Sequence, residues 1–124
     1  MTAEQTEGAG SQSANCLFCR IVRGEIPAQV VYQDPDVIAI RDINPQAPVH
    51  LLVLPREHVE SLHDVKDPLV AGRLAVAAAH IARRDGFADR GYRAVFNTRD
   101  DGGQTVGHLH LHVLAGRQMH WPPG

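Results

Sequence analysis

The 124-residue chain has no apolar run long enough to cross a bilayer, where about 20 residues are needed. It has no block of like charges, and its formal net charge is only −2. That argues against a basic nucleic-acid surface and against a polybasic membrane patch. Its first residues lack the basic start and apolar stretch of a secretory signal. Residues 1–14 are polar, small and slightly acidic, and read as a disordered tail. Without an export signal, the expected compartment is a reducing cytoplasm. Cysteine is scarce: Cys16 and Cys19 are the only two. In such a compartment they read as thiols or metal ligands rather than as a structural disulfide. No internal repeat is visible. The length suits one domain, expected over residues 15–124, with a modest core that self-association would enlarge.

Strand-like segments dominate what is present. Residues 17–23 predict a short helix with Leu17, Phe18 and Ile21 on one face, ended by Gly24 and Pro27. Strands are expected over 30–32, 37–41 and 50–54, the last stopped by Pro55, and again over 92–96 and 108–114. One long helix is expected over 68–85. Asp67 suits its N-cap and Pro68 its first position. Val70, Leu74, Ala77 or Ala78, and Ile81 recur at helical spacing, and Gly86 suits the C-terminal cap. Strands around one long helix, without regular alternation, predict an α+β fold with an antiparallel sheet.

The most informative segment is His108-Leu109-His110-Leu111-His112-Val113-Leu114. In a strand, alternate side chains share a face, so three imidazoles line one side while Leu109, Leu111 and Val113 enter the core. Successive histidines then lie roughly 7 Å apart along the strand, room for a phosphoryl group between rings. Imidazole titrates near neutrality; a neutral ring can attack phosphorus and a neighbour can donate a proton. Two other readings are a half-exposed strand that carries histidine by chance and a catalytic metal centre. The preceding Asp101-Gly102-Gly103-Gln104-Thr105 is a glycine loop whose backbone N–H groups can approach an anion.

The histidine pattern resembles the signature of the histidine-triad (HIT) superfamily. The surrounding residues are similar to its nucleotide-binding branch, the purine nucleoside phosphoramidases. The resemblance spans about residues 16–124 and includes Gly24-Glu25-Ile26-Pro27-Ala28, Asp42-Ile43-Asn44-Pro45-Gln46-Ala47-Pro48, the glycine loop, and the ending from Gly116 to Gly124. It implies five antiparallel strands per subunit, with the long helix and the short N-terminal one. It also implies a homodimer joined into a continuous ten-stranded sheet. The implied activity is hydrolysis of an AMP-type purine nucleoside 5′-phosphoramidate, with no catalytic metal. A nucleotide-binding regulatory module, a dinucleoside polyphosphate hydrolase and a nucleotidyl transferase are the alternatives, beside a zinc hydrolase using the histidines as ligands.

By the same resemblance His110 is the nucleophile, His108 orients it and His112 contacts the phosphate. Asn97 and the segment Gly103, Gln104 and Thr105 help to hold the phosphate, Thr105 also near the leaving group. Asp42 binds the ribose hydroxyls. Leu17, Phe18, Ile21, Ile40 and Ile43 form the slot for the base. Thr105 stands where many relatives have serine, and Ile40 where they often have an aromatic residue. Trp121 is expected to reach the partner's site. The pair Cys16-x-x-Cys19 has chelate spacing but needs two more ligands. The resemblance suggests His50 and His108, with a structural zinc. His58, His63, His80 and His120 are expected at the surface or in packing.

Overall fold

A computed structural model of the chain describes residues 15–124; the expected tail over 1–14 lies outside the described residues. A short helix, α1 (Leu17–Val22), precedes three strands: β1 (Val30–Gln33), β2 (Val37–Arg41) and β3 (Val49–Pro55). A single 3-10 turn (Leu62–Asp64) leads to the long helix α2 (Pro68–Asp85), followed by β4 (Arg93–Val95) and β5 (Leu111–Ala115). All pairings are antiparallel, in the order β1-β2-β3-β5-β4. β1 and β4 are therefore the edges, and β5 inserts between β3 and β4.

Helix α2 begins and ends where its caps predict. The Asp67 side chain accepts the Leu69 N–H at 2.9 Å, and Gly86 ends the helix at φ 85°, a conformation that costs glycine no Cβ clash. Its buried stripe of Val70, Leu74, Ala77, Ala78 and Ile81 packs on one face of the sheet, against Val37, Ala39, Leu51 and Val53. Leu109, Leu111 and Val113 join the same cluster, as their alternation predicts. The opposite face carries a second cluster of Phe18, Ile38, Ile40, Leu52 and Leu54, covered by α1. β2 and β3 are buried on both faces, which explains why they read as nearly continuous apolar runs.

The last two strands are shorter than their alternation suggests. β4 covers three residues of the expected 92–96, and β5 begins only at Leu111. The reason lies in the neighbour. β3 runs on to Pro55, but its last pair with β5 is Val53 with Leu111, so the chain before Leu111 is outside the ladder. Instead Leu109 N–H donates to Val59 O at 2.7 Å, in the loop beyond Pro55. His108 and His110 thus sit on an extended lead-in to β5, still on the face opposite Leu109.

Candidate active site

Register decides which histidines meet. β3 pairs with β5 so that Leu52 faces His112 and His50 faces Leu114. His50 and His112 are diagonal neighbours on one face, and His50 Nε2 lies 2.9 Å from His112 Nδ1. His110 lies beside His112, ring centroids 4.9 Å apart. Phe18, from α1, stands edge-on to His110 at 5.1 Å and to His108 at 5.9 Å. His108 is fully buried and His110 is 5% exposed.

The hydrogen-bond partners assign the tautomers. His110 Nδ1 lies 2.7 Å from His108 O. A carbonyl only accepts, so Nδ1 carries the proton and Nε2 of the neutral ring keeps a lone pair. On His50 the order is reversed. The Gln46 backbone N–H donates to Nδ1 at 3.0 Å, so Nε2 carries the proton and donates to His112 Nδ1. Neutral His112 then carries its proton on Nε2. The pair therefore offers opposite chemistry: a lone pair on His110 and an N–H on His112. Burial holds His110 below the usual imidazole range. Burial, then the neighbouring His110 and His50, brings His112 down to about 4. Both rings are neutral at pH 7.

The expected phosphate and nucleoside residues are brought together only in part. Val95 faces His112 in the last pair of the β4–β5 ladder, and Asn97 follows two residues beyond it. Phe18 and Ile40 are buried in the α1-side cluster, with Ile21 packed against it. Leu17 is exposed, and Ile43 is 100% exposed at the tip of its loop. Asp42 accepts the Asn44 N–H at 2.8 Å, while its other oxygen lies 3.4 Å from His50 Nε2. The Gln104 side-chain amide is engaged with the protein at Arg99, Glu60 and Val106, and the Gly103 and Gln104 N–H groups donate to Asp100 O and Arg99 O.

The metal cradle requires one correction. Cys16, Cys19, His108 and His58 converge, their donor atoms all within 4.8 Å of one another; His50 is not among them. The antiparallel register explains this. His50 pairs with Leu114, and Leu114 is 114 − 108 = 6 residues from His108, about 20 Å along an extended chain. The loop after β3 instead returns His58 to the opposite end, where His108 lies. His58 is 3.3 Å from Cys19 Sγ, and His108 is 3.3 Å from Cys16 Sγ and 3.5 Å from Cys19 Sγ, each through Nδ1. The segment His58-Val59-Glu60 held a weak sequence signal, since a carboxylate two residues on can orient a ligating ring. His63, His80 and His120 are exposed, as expected.

These residues fit a tetrahedral zinc. The His108 Nε2–H donates to Pro55 O and the His58 Nε2–H to Glu60 Oε2, both at 2.9 Å, which turns both Nδ1 lone pairs toward the sulfurs. These sulfur–nitrogen separations match the edge of a zinc tetrahedron, about 3.6 Å for ordinary Zn–S and Zn–N bonds. Burial would raise the Cys16 thiol, but hydrogen bonds from His108, His58 and the Cys19 N–H outweigh it and bring it to about 5. His58 rises to about 9, chiefly through its hydrogen bond to Cys16 against the opposing effect of burial. Asp42, His50 and His112 also converge. That trio is poorly suited to a cation, because Gln46 N–H already occupies the Nδ1 lone pair of His50. A metal at its Nε2 would demand an imidazolate.

A HIT domain matches residues 23–119 of the chain. The Escherichia coli purine nucleoside phosphoramidase is 45% identical over 105 residues, 83% of this chain and 88% of that protein. A HIT family hydrolase from Legionella pneumophila is 50% identical, with a TM-score of 0.86 over 89% of this chain and 100% of that one. A histidine triad protein from Clostridium difficile is 42% identical, with a TM-score of 0.86 over 89% and 97%. Sequence match, shared fold and the three converging imidazoles agree: the chain belongs to the HIT domain family.

Proposed function

We propose that the chain hydrolyses purine nucleoside 5′-phosphoramidates through a covalent nucleotidyl intermediate on His110. The relative named a purine nucleoside phosphoramidase supports the substrate class. The observation that carries the mechanism is the complementary pair at the site, a lone pair on His110 Nε2 beside an N–H on His112. His110 Nε2 attacks phosphorus and the P–N bond breaks, the leaving amine taking from solvent a proton that the hydrolytic water later returns. Water then cleaves the Nε2–P bond and releases the monophosphate. Overall the water hydroxyl goes to phosphorus and its hydrogen to the amine. The His112 N–H and the N–H and hydroxyl of Thr105 stabilise charge growing on the phosphate oxygens, the Gly103 N–H being used within the loop by Asp100 O. His108 holds His110 through its carbonyl. Asp42 takes the ribose hydroxyls, and Phe18, Ile21, Ile40, Leu17 and Ile43 border the base.

Cys16, Cys19, His58 and His108 would hold zinc as a structural ion. With four protein ligands, such an ion would staple α1 to the lead-in of β5 and would leave no place for an activating water. The active unit is proposed to be a homodimer, with Trp121, 82% exposed, reaching the partner's site. Its setting is the cytoplasm, where free thiols persist; among the described residues no helix is long and apolar enough to cross a membrane. The test is a hydrolysis panel of adenosine and guanosine phosphoramidates beside dinucleoside polyphosphates, with His110→Ala as control. Phosphoramidate turnover that falls by several powers of ten in the variant, with AMP binding retained, supports the reading. Binding without turnover in the wild type would favour a regulatory nucleotide-binding module. Preference for dinucleotides would move the substrate class.

A further inference from the structure

We infer that Gln104 is a positioning residue, a latch that presets the phosphate loop without touching the nucleotide. The inference rests on the reading of that loop as the phosphate site. Three hydrogen bonds use the Gln104 amide. Oε1 accepts the Arg99 N–H at 2.9 Å, and Nε2 donates to Glu60 O at 2.7 Å and to Val106 O at 2.9 Å. Two carbonyls facing one end and an N–H facing the other leave only one orientation of the amide. The Gln104 backbone N–H also returns to Arg99 O at 3.0 Å. Arg99 and Gln104 therefore close the loop with a reciprocal pair, one bond through backbone and one through side chain.

The rest of the loop is built around that closure. Arg99 has φ 59°, unusual for a residue with a side chain, and it is held there from both sides. Its N–H and C=O bond Gln104, while its guanidinium reaches Asp64 at 3.2 Å. Asp64 in turn accepts the Ser61 hydroxyl at 2.6 Å. Gly102 lies so close to the backbone of Thr98 that a Cβ there would collide with it, and Gly103 takes φ 78°. The bond to Glu60 O tethers this turn to the segment ahead of α2, and the bond to Val106 O closes the turn on itself. They hook residues 104–106 tightly, with Thr105 at the apex. Peptide N–H groups that serve an anion act best when their direction is set beforehand, and no other side chain in the loop makes as many of its bonds.

The role separates from direct contact by chemistry. Gln104→Met keeps the length and loses all three hydrogen bonds. Gln104→Asn keeps the amide and loses the reach. Gln104→Glu turns two donors into lone pairs facing two carbonyls. All three should weaken AMP binding about tenfold or more, the effect of losing a hydrogen bond's worth of order, while adenosine, which has no phosphate, binds within twofold of wild type. In the free protein, amide exchange at Arg99 should quicken about tenfold while α2 and β5 are unchanged. Unchanged AMP affinity in Gln104→Met, or equal losses for AMP and adenosine, would overturn the latch, as would unaltered exchange at Arg99. Failure of the wild type to bind AMP at all would instead overturn the reading of the site, while the exchange measurement still reports on the latch.

Discussion

At the scale of single residues, the tautomers at this site follow from backbone groups. One carbonyl, that of His108, and one N–H, that of Gln46, determine which nitrogens of His110, His50 and His112 carry protons. A side chain changes rotamer far more easily than a strand changes register, so backbone partners give the site a durable polarity. Burial of His112 has a consequence for stability. Facing it are His110, His50 and Asp42, and burial with the two imidazoles outweighs the carboxylate. Its folded pKa of about 4 lies below the ordinary 6.5. The unfolded chain therefore binds a proton the folded one refuses, so the stability it contributes is complete above about pH 6.5 and lost as pH falls toward 4. Melting temperature should decline from pH 7 to 4.5, and His112→Gln should flatten that decline. An equally steep decline in the variant would contradict the assignment.

The cradle supplies a second residue-scale expectation. His58→Ala should remove most bound zinc, whereas His50→Ala should leave the zinc content of untagged protein near one equivalent per chain. Cys16→Ser with Cys19→Ser should lower zinc and melting temperature together, yet reduce turnover far less than His110→Ala does. Elemental analysis checks the metal. If His50→Ala lost zinc and His58→Ala kept it, the cradle would be misassigned.

At the scale of elements, the sheet works as a partition. Its α2 face holds the larger apolar cluster, and its α1 face holds the histidines over a smaller one. Strict alternation lets β5 serve both, with Leu111 and Val113 to the core and His112 to the site. Leu74 of α2 is fully buried in the cluster between helix and sheet. Leu74→Ala should cost about 2–5 kcal/mol by lost burial and the cavity left behind. Denaturant melting measures it, and a loss below 1 kcal/mol would mean that α2 is less firmly seated than its packing implies. Much of this level was legible beforehand. The α2 limits followed from Asp67, Pro68 and Gly86, and the inward residues from a period of two or 3.6. The length of β5 did not, because the ladder with β3 stops at the Val53–Leu111 pair and Leu109 gives its N–H to Val59 O in a distant loop instead.

At the scale of the whole molecule, β4 is a three-residue edge with no further strand beyond it among the described residues. Open edges invite pairing, and two-fold association would cover this one while enlarging a modest core. Light scattering at micromolar concentration should return twice the 13.5 kDa chain mass; a clean monomer would remove the proposed dimer.

What the sequence determined by itself is local and periodic. The three same-face histidines, the caps of α2 and the glycine loop are written in spacings of two to four residues, which backbone geometry converts directly into faces and turns. The family likeness was equally legible, since its motifs are contiguous. The tertiary structure decided the long-range pairings. His58 rather than His50 meets Cys16 and Cys19, although both are histidines near β3, because antiparallel register sends the two ends of a strand to opposite ends of its neighbour. The Gln104 amide meets Glu60 because a loop 44 residues earlier offers it a carbonyl at 2.7 Å. Neither outcome has a sequence period. Each depends on which backbone groups the closed fold leaves within hydrogen-bond reach, and that distance exists only once the sheet has formed.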